Sequence, residues 1–199
     1  MKYYLIFLLF PLTAIGQTSK DKFSGNVVVQ WIDDGRSMML LKEFSYIDPS
    51  GKEWKVPKKI VVDGASIPQI FWTIIGGPYE GEYRKASVVH DYYCVQKTES
   101  WRDVHLMFYH ACLTAGTSIS KAKTMYAAVY AGGPRWEIHT QRNLNGNLTK
   151  FVMEKEVTTS PEKLNAVMEW IKNNNPTVEE ITSKLDQVVE EGYKVQVVN

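Results

Sequence analysis

The clearest hydrophobic pattern in the chain predicts two helices joined by a short polar turn. The segments Arg84–Gln96 and Trp101–Ala115 carry apolar residues at helical spacing, and the polar run of residues 97–100 separates them. In an antiparallel helical hairpin, positions equidistant from the turn lie at the same level. His90 lies about eight residues before the centre of that turn and His105 about seven after it. We therefore expect the two imidazoles to face each other across the seam between the helices.

The residues before this hairpin predict a small antiparallel β-meander. Within Asn26–Gly64, three runs rich in β-branched and aromatic side chains are separated by the turn sequences DDGR and DPSG. Pro57 interrupts the third run and predicts an edge strand or a split strand. Asp63 ends that run, where a side chain often enters a site; the alternative is an Asx-turn that holds the DGASIP segment beginning there. A short helix is expected next, with Ser66 as its N-cap, Pro68 in its first turn and Gln69–Ile75 as its continuation.

The remaining pattern predicts one more core helix and a helical tail. The third helix covers Ser120–Ala131, and residues 137–159 are polar and weakly patterned, which predicts a loop region with one short strand near Lys150–Val157. Helices starting at Ser160 and Thr177, then a strand in YKVQVV, are expected to pack on the core or to form a small lobe for a partner. The predicted fold is α+β: a small antiparallel β-meander, a three-helix core and a C-terminal helical hairpin.

The first 16 residues have the pattern of a cleaved signal peptide. Lys2 gives a positive start, Tyr3–Leu12 is an apolar stretch too short to span a bilayer, and Ala14-Ile15-Gly16 is a small-x-small cleavage signal. Cleavage after Gly16 predicts a secreted or periplasmic protein, with an uncleaved N-terminal anchor as the alternative. The predicted division is therefore a signal peptide over 1–16, a main domain over 17–136 and a helical extension over 137–199.

Composition and charge narrow the class of partner. Hydrophobic residues make up 44% and charged residues 23% of the chain, which is typical of a globular protein. Removing the signal peptide deletes one lysine and leaves 22 basic against 22 acidic side chains. A neutral chain without a basic stripe argues against nucleic acid. We expect a small-molecule, lipid or protein partner, and no transmembrane span in the mature chain.

The two cysteines are predicted to be free thiols. Cys94 lies about four residues before the turn of the helical hairpin, whereas Cys112 lies about fourteen after it. At the helical rise per residue they are offset by roughly 15 Å along the seam. A disulfide tolerates no more than about 7 Å between Cα atoms, so the pair is out of reach even in an oxidising compartment.

Four motifs resemble a known family in order and spacing. The segments VVDGASIP, ASVVHDYYC, WRDVHLMF and AKTMYAAVYAGGPRW are similar to the phage and bacterial family called domain of unknown function 1353. The likeness covers roughly residues 40–136 and leaves the tail outside. The resemblance implies a shared fold without implying an activity.

A more distant likeness to the helical core of bacterial secreted phospholipase A2 enzymes implies chemistry. In that group, a histidine acts as general base to water, the next aspartate binds calcium, and an aspartate on the second helix orients the histidine. By resemblance, His90 would be the base and Asp91 the calcium ligand. The orienting position falls on His105 instead of an aspartate, and the tyrosine expected four residues after the base is Cys94.

The first hypothesis for function is a secreted, metal-assisted hydrolase acting on lipid or other ester bonds. His90 and His105 would be its catalytic pair, since a histidine held in one tautomer by a partner can take a proton from water. A divalent ion on Asp91, with Asp63 beside it, would stabilise an oxyanion. Calcium and zinc are both candidates for that ion.

The second hypothesis is a transition-metal site. His90 and Cys94 are four residues apart and share a helix face, and His105 approaches from the facing helix. Asp91 or Asp63 would complete a tetrahedral set of nitrogen, sulfur and oxygen ligands that suits zinc.

The third hypothesis is a non-catalytic, exported, phage-derived binding or structural module. In that case His90 and Asp91 form a buried polar pair that locks the helices, and the C-terminal helices provide the contact surface. The other two histidines are expected to stand apart from the site. His139 is predicted to face solvent, and His110 is predicted to be exposed or to be a hydrogen-bonded core residue.

Overall fold

The computed structural model describes residues 22–63 and 81–193. The predicted signal peptide over 1–16, the helix predicted from its Ser66 cap to Ile75, most of the DGASIP segment and all but the first residue of the predicted YKVQVV strand lie outside these ranges. Within them the fold is α+β, with short strands first and helices after them, as predicted.

The N-terminal residues form two three-stranded antiparallel sheets. One sheet has the strand order β1-β4-β5 and the other has the order β2-β3-β6. The six strands are β1 (Lys22–Phe23), β2 (Val29–Trp31), β3 (Met38–Leu40), β4 (Phe44–Ile47), β5 (Glu53–Val56) and β6 (Val61–Val62).

Local sequence explains where these strands bend and stop. Strand β5 alternates exposed and buried positions, so that Trp54 lies in the core. The turn before β5 is held by Asp48, whose Oδ1 accepts hydrogen bonds from the backbone N–H groups of Ser50 and Lys52. Pro57 follows β5 directly, and Lys59 has a positive φ of 69°. The predicted split of this run into two strands is confirmed.

Three helices follow, with the bounds that the pattern predicts to within two residues. They are α1 (Arg84–Gln96), α2 (Trp101–Thr114) and α3 (Ile119–Gly132). The hydroxyl of Ser100 caps α2 by accepting from the N–H of Asp103, and the hydroxyl of Ser118 caps α3 in the same way. Helix α2 packs between α1 and α3, so the hairpin of α1 and α2 lies in the centre of the fold.

The prediction of a loop over residues 137–159 is wrong, although the strand expected near Lys150–Val157 is present. The segment belongs to a β-hairpin of two long strands, β7 (Arg135–Arg142) and β8 (Leu148–Thr158), and β9 (Glu190–Tyr193) pairs with the base of β8. Most side chains of β7 and β8 are exposed on both faces. No core imposes a two-residue hydrophobic alternation there, so the sequence pattern stays weak.

The tail helices pack on the core, which is the first of the two predicted arrangements. They are α4 (Pro161–Asn174) and α5 (Val178–Val188), and both contact α3. Their buried side chains join the same hydrophobic cluster as the sheets and the first three helices: Leu164, Val167, Ile171, Ile181 and Leu185. The domain boundary predicted between residues 136 and 137 falls inside β7, and the division itself stays a prediction. Among the described residues, no helix combines the length and apolar character that crossing a bilayer requires.

Candidate metal centre

The helical hairpin brings the two predicted histidines into direct contact. His90 lies on α1 and His105 on α2, and the distance from His90 Nε2 to His105 Nδ1 is 2.9 Å. The expectation that the imidazoles meet across the seam is confirmed. At this distance the two nitrogens share one hydrogen, so one ring donates and the other accepts.

The third member of the cluster is Cys94, one helical turn after His90. Its Sγ lies 3.6 Å from His90 Nε2 and 3.8 Å from His90 Nδ1. One ligand atom from each of His90, Cys94 and His105 can be chosen so that all three lie within 4.8 Å of one another. Ligands on one tetrahedral zinc ion are about 3.3 to 3.6 Å apart, given the usual bond lengths. The sulfur already stands at that spacing from His90 Nε2, and the two nitrogens need to separate by only about 0.4 Å.

The cluster is shielded from solvent by aromatic rings. His90 and His105 are both 0% exposed and Cys94 is 3% exposed. The ring of Phe108 lies 4.6 Å from that of His90, and the ring of Trp101 lies 5.6 Å from that of His105. A hydrolase needs catalytic imidazoles that water and substrate can reach. The pair in this structure is buried.

Burial keeps both rings neutral at physiological pH. Desolvation lowers the pKa of His90 from 6.5 to about 3. Desolvation also lowers the pKa of His105 well below its ordinary value, and the nearby His90 and the positive charge of Arg135 lower it further, while the Pro134 backbone opposes this shift. Because neutral imidazole is the form that ligates metal ions, the site holds its histidines in the competent state without a metal.

The far nitrogen of His105 faces the end of α3. Its Nε2 is buried and makes no hydrogen bond of normal geometry within residues 22–63 and 81–193. A Cβ placed on Gly133 would come within 3.2 Å of this nitrogen. Gly133 therefore leaves the room that the ring occupies. The sequence Gly132-Gly133-Pro134 is typical of the end of a helix, so sequence reasoning missed this contact. The lack of a side chain at Gly133 was its one signal.

The two aspartates predicted as metal ligands make contacts outside the cluster. Asp91 is 2% exposed, and its Oδ2 accepts a hydrogen bond of 2.9 Å from the backbone N–H of Asp63. The backbone carbonyl of Asp63 in turn accepts from Arg36 Nε at 2.9 Å. These bonds tie the end of β6 to α1, and neither aspartate belongs to the group formed by the histidines and the cysteine. The role of Asp91 and Asp63 as metal ligands stays a prediction.

The remaining cysteine and histidines lie away from the cluster. Cys94 and Cys112 are both free thiols, as predicted. His139 is on β7, stacks on Phe151 at 5.2 Å and has a side chain that is 40% exposed, which confirms its predicted solvent-facing position. His110 lies on α2 beside a surface cavity of about 440 Å³ that Asp48 and Asp103 also line.

Comparison with known proteins confirms the predicted family resemblance. Residues 38–129 match the model of the family described as "Protein of unknown function (DUF1353)". Two relatives come from Sinorhizobium fredii: "Uncharacterized protein y4jT" is 45% identical over 71% of this chain, and "Uncharacterized protein y4iH" is 40% identical over 60%. The chain covers 45% and 52% of the lengths of these relatives. No solved structure matches significantly, and these matches give the likeness to phospholipase A2 no support.

Proposed function

We propose that this protein binds one transition-metal ion in a buried centre between α1 and α2. The observation that carries the proposal is the convergence of His90 Nε2, His105 Nδ1 and Cys94 Sγ, with separations of 2.9 and 3.6 Å around His90 Nε2. An ion held there connects two neighbouring helices at the centre of the fold. Metal binding is therefore expected to add directly to the free energy of unfolding.

The donor set selects the class of metal. Two imidazole nitrogens and one thiolate suit zinc, cobalt, nickel or copper, whereas calcium and magnesium prefer six or more oxygen ligands or an octahedral oxygen set. Of the two ions expected from the sequence, calcium is excluded by these nitrogen and sulfur donors, whereas zinc accepts ligands of both kinds. A calcium role for Asp91 would need a separate oxygen-rich site.

Cobalt(II) titration of the metal-free protein tests the proposal. We expect saturation at one equivalent with a thiolate-to-cobalt absorption band, because Cys94 would be a ligand. The Cys94→Ser variant should lose that band, and Cys112→Ser is the matched control, since Cys112 is equally buried on α2 and outside the cluster. Less than about a tenth of an equivalent of any transition metal, in protein purified without chelator and after titration, would contradict a centre built into the fold.

Metal-assisted hydrolysis is the second candidate function. In its favour, three protein ligands leave one coordination position free, as in catalytic zinc sites. The complete burial of His90 and His105 favours a structural role over catalysis. Assays of the metal-loaded protein on phospholipid and simple ester substrates, beside His90→Ala, discriminate between the two. Equal background rates in both proteins would remove hydrolysis and leave the non-catalytic module.

Export from the cytoplasm is proposed on the sequence of residues 1–16. The argument is the positive start, short apolar stretch and small-residue cleavage signal of that segment. Mass spectrometry of the protein recovered from its native host should give a chain that starts at Gln17. An intact N-terminus in the cytoplasmic fraction would refute cleavage and export.

A further inference from the structure

The chain has few imidazole and thiol side chains. It contains four histidines and two cysteines in all. Three of these six residues form the cluster, and the others lie elsewhere: His110 lines a surface cavity, His139 stacks on Phe151, and Cys112 is outside the group. No further imidazole or thiolate is therefore available as a fourth ligand. The nearest acidic residue in sequence, Asp91, accepts a hydrogen bond from the N–H of Asp63.

A fully buried three-ligand site is poorly matched to zinc. Structural zinc sites are almost always tetrahedral with four protein ligands, and three-ligand zinc sites keep a water in the fourth position. Here the ligands are 0%, 0% and 3% exposed, and Phe108 and Trp101 cover the histidine rings. Water has to be drawn from bulk solvent and held in apolar surroundings to complete the zinc geometry.

The charges in and around the site favour a monovalent ion over a divalent one. The cluster contributes one anionic ligand, the Cys94 thiolate, so a divalent ion leaves one net positive charge on the ion and its three ligands, whereas a monovalent ion leaves none. The guanidinium of Arg135 is buried with 1% exposure and lies 4.2 Å from the ring centre of Trp101, which contacts His105. Glu191 pairs with Arg135, but Lys155 shares the same carboxylate at 2.8 Å. The surroundings therefore disfavour additional positive charge.

We propose that the ion of this centre is copper(I), held by His90 Nε2, His105 Nδ1 and Cys94 Sγ as the three ligands that the described residues provide. The inference rests on the proposed metal centre and specifies which metal it takes. Thiolate is a soft ligand that selects copper(I), and a His₂Cys trigonal set is a recognised copper environment. The Nε2 of His105, which faces the Gly133–Pro134 backbone and makes no hydrogen bond of normal geometry among the described residues, then carries the proton that a ring bound through Nδ1 requires.

Competition against a chromogenic copper(I) chelator, without oxygen, tests the choice of metal. The full chain should take up one equivalent of copper(I) from bicinchoninate, and copper(I) should displace cobalt(II) or zinc(II) from the same site. We expect Cys94→Ser to weaken copper(I) binding at least a hundredfold and Cys112→Ser to leave it unchanged. X-ray absorption of the wild-type copper complex needs no variant, and it should show two nitrogen neighbours and one sulfur neighbour.

The outcomes separate this inference from the proposed function. One equivalent of cobalt(II) or zinc(II) that copper(I) does not displace overturns the copper assignment and leaves the metal centre standing. Copper(I) uptake that survives in Cys94→Ser, or an absorption spectrum without sulfur, also overturns it. No uptake of any of the three metals refutes both proposals. Circular dichroism and urea unfolding of each variant identify a loss of binding that comes from misfolding.

Discussion

Replacing Gly133 with alanine probes how the end of α3 holds His105 in the cluster. The new Cβ would lie 2.3 Å from the carbonyl oxygen of Val129, 3.1 Å from His105 Cε1 and 3.2 Å from His105 Nε2. Non-bonded carbon atoms are attracted best at about 3.5 to 4.0 Å. All three contacts are too short, so both the backbone of α3 and the ring of His105 have to move.

The expected cost of Gly133→Ala combines one stabilising effect with two destabilising effects. Gly133 has φ −74° and ψ 168°, which alanine adopts without strain, and the stiffer unfolded chain stabilises the variant by about 0.4 to 1 kcal/mol. Overpacking destabilises by about 1 to 3 kcal/mol. Shifting the helix end also weakens the 2.8 Å hydrogen bond from Gly133 N–H to Val129 O, at about 1 kcal/mol. The net loss in unfolding free energy is therefore about 2 kcal/mol.

Two measurements check this prediction. Urea unfolding of the metal-free protein gives the stability change, and cobalt(II) titration should show at least a tenfold loss of affinity, because the His105 ligand is displaced. Gly192→Ala is the control, since a Cβ there meets no atom within 4 Å; it should change neither quantity appreciably. Wild-type stability in Gly133→Ala would refute the packing argument. Reduced stability with unchanged metal affinity would refute the link to His105.

Three further predictions concern pH, capping and a core hydrogen bond. Burial lowers the pKa of His90 to about 3 and also lowers that of His105, so the unfolded chain binds protons before the folded protein does as the pH falls. The unfolding free energy of the metal-free protein in urea should therefore drop by about 2 kcal/mol from His90 between pH 8 and pH 5, with a further drop from His105; a flat profile contradicts this. Thr177→Ala removes the capping box of α5 and should cost about 1 kcal/mol in thermal unfolding, whereas an unchanged Tm would show that the cap contributes nothing. Trp136→Phe removes the 2.8 Å hydrogen bond to the Glu99 carbonyl and should cost about 1 to 3 kcal/mol in urea; an unchanged midpoint contradicts it.

The helical centre of the fold was predictable because local signals and packing agree there. Ser100 and Ser118 are both helix-capping residues that the structure uses as caps. The polar run between α1 and α2 fixed the turn, and counting residues from it placed His90 opposite His105. That inference needs only the rise of a helix and a short connection, and both are local properties of the chain.

The hairpin of β7 and β8 was missed because its two faces have similar surroundings. Ile138 pairs with Val152 on one face, while Phe151 and Met153 lie on the other, and all four are between 38% and 41% exposed. Apolar residues on both faces cancel the alternation by which a half-buried strand is recognised. The hairpin is fixed by cross-strand pairing along its whole length, which a single sequence does not display.

The residues that form the site were easier to predict than the surroundings that bury them. His90, Cys94 and His105 follow from helix geometry, whereas the burial of the cluster depends on Phe108, Trp101 and the end of α3. Asp91 was expected beside His90 because it is the next residue. Consecutive helical residues point about 100° apart, since a turn contains 3.6 residues, and in the structure Asp91 contacts the end of β6 instead.

A buried pair of histidines lowers the free energy of unfolding unless a ligand or a full set of hydrogen bonds compensates for it. The hydrogen bond between His90 and His105 satisfies one nitrogen of each ring, and His105 Nε2 makes no normal hydrogen bond among the described residues. A buried polar group without a partner costs about 1 to 3 kcal/mol, and well-packed apolar side chains would avoid that cost. A bound ion changes the balance, because it replaces one shared proton by bonds to both rings and to Cys94. The cost of the polar cluster to the metal-free fold, together with its closeness to ligand spacing, is therefore itself an argument for a metal centre.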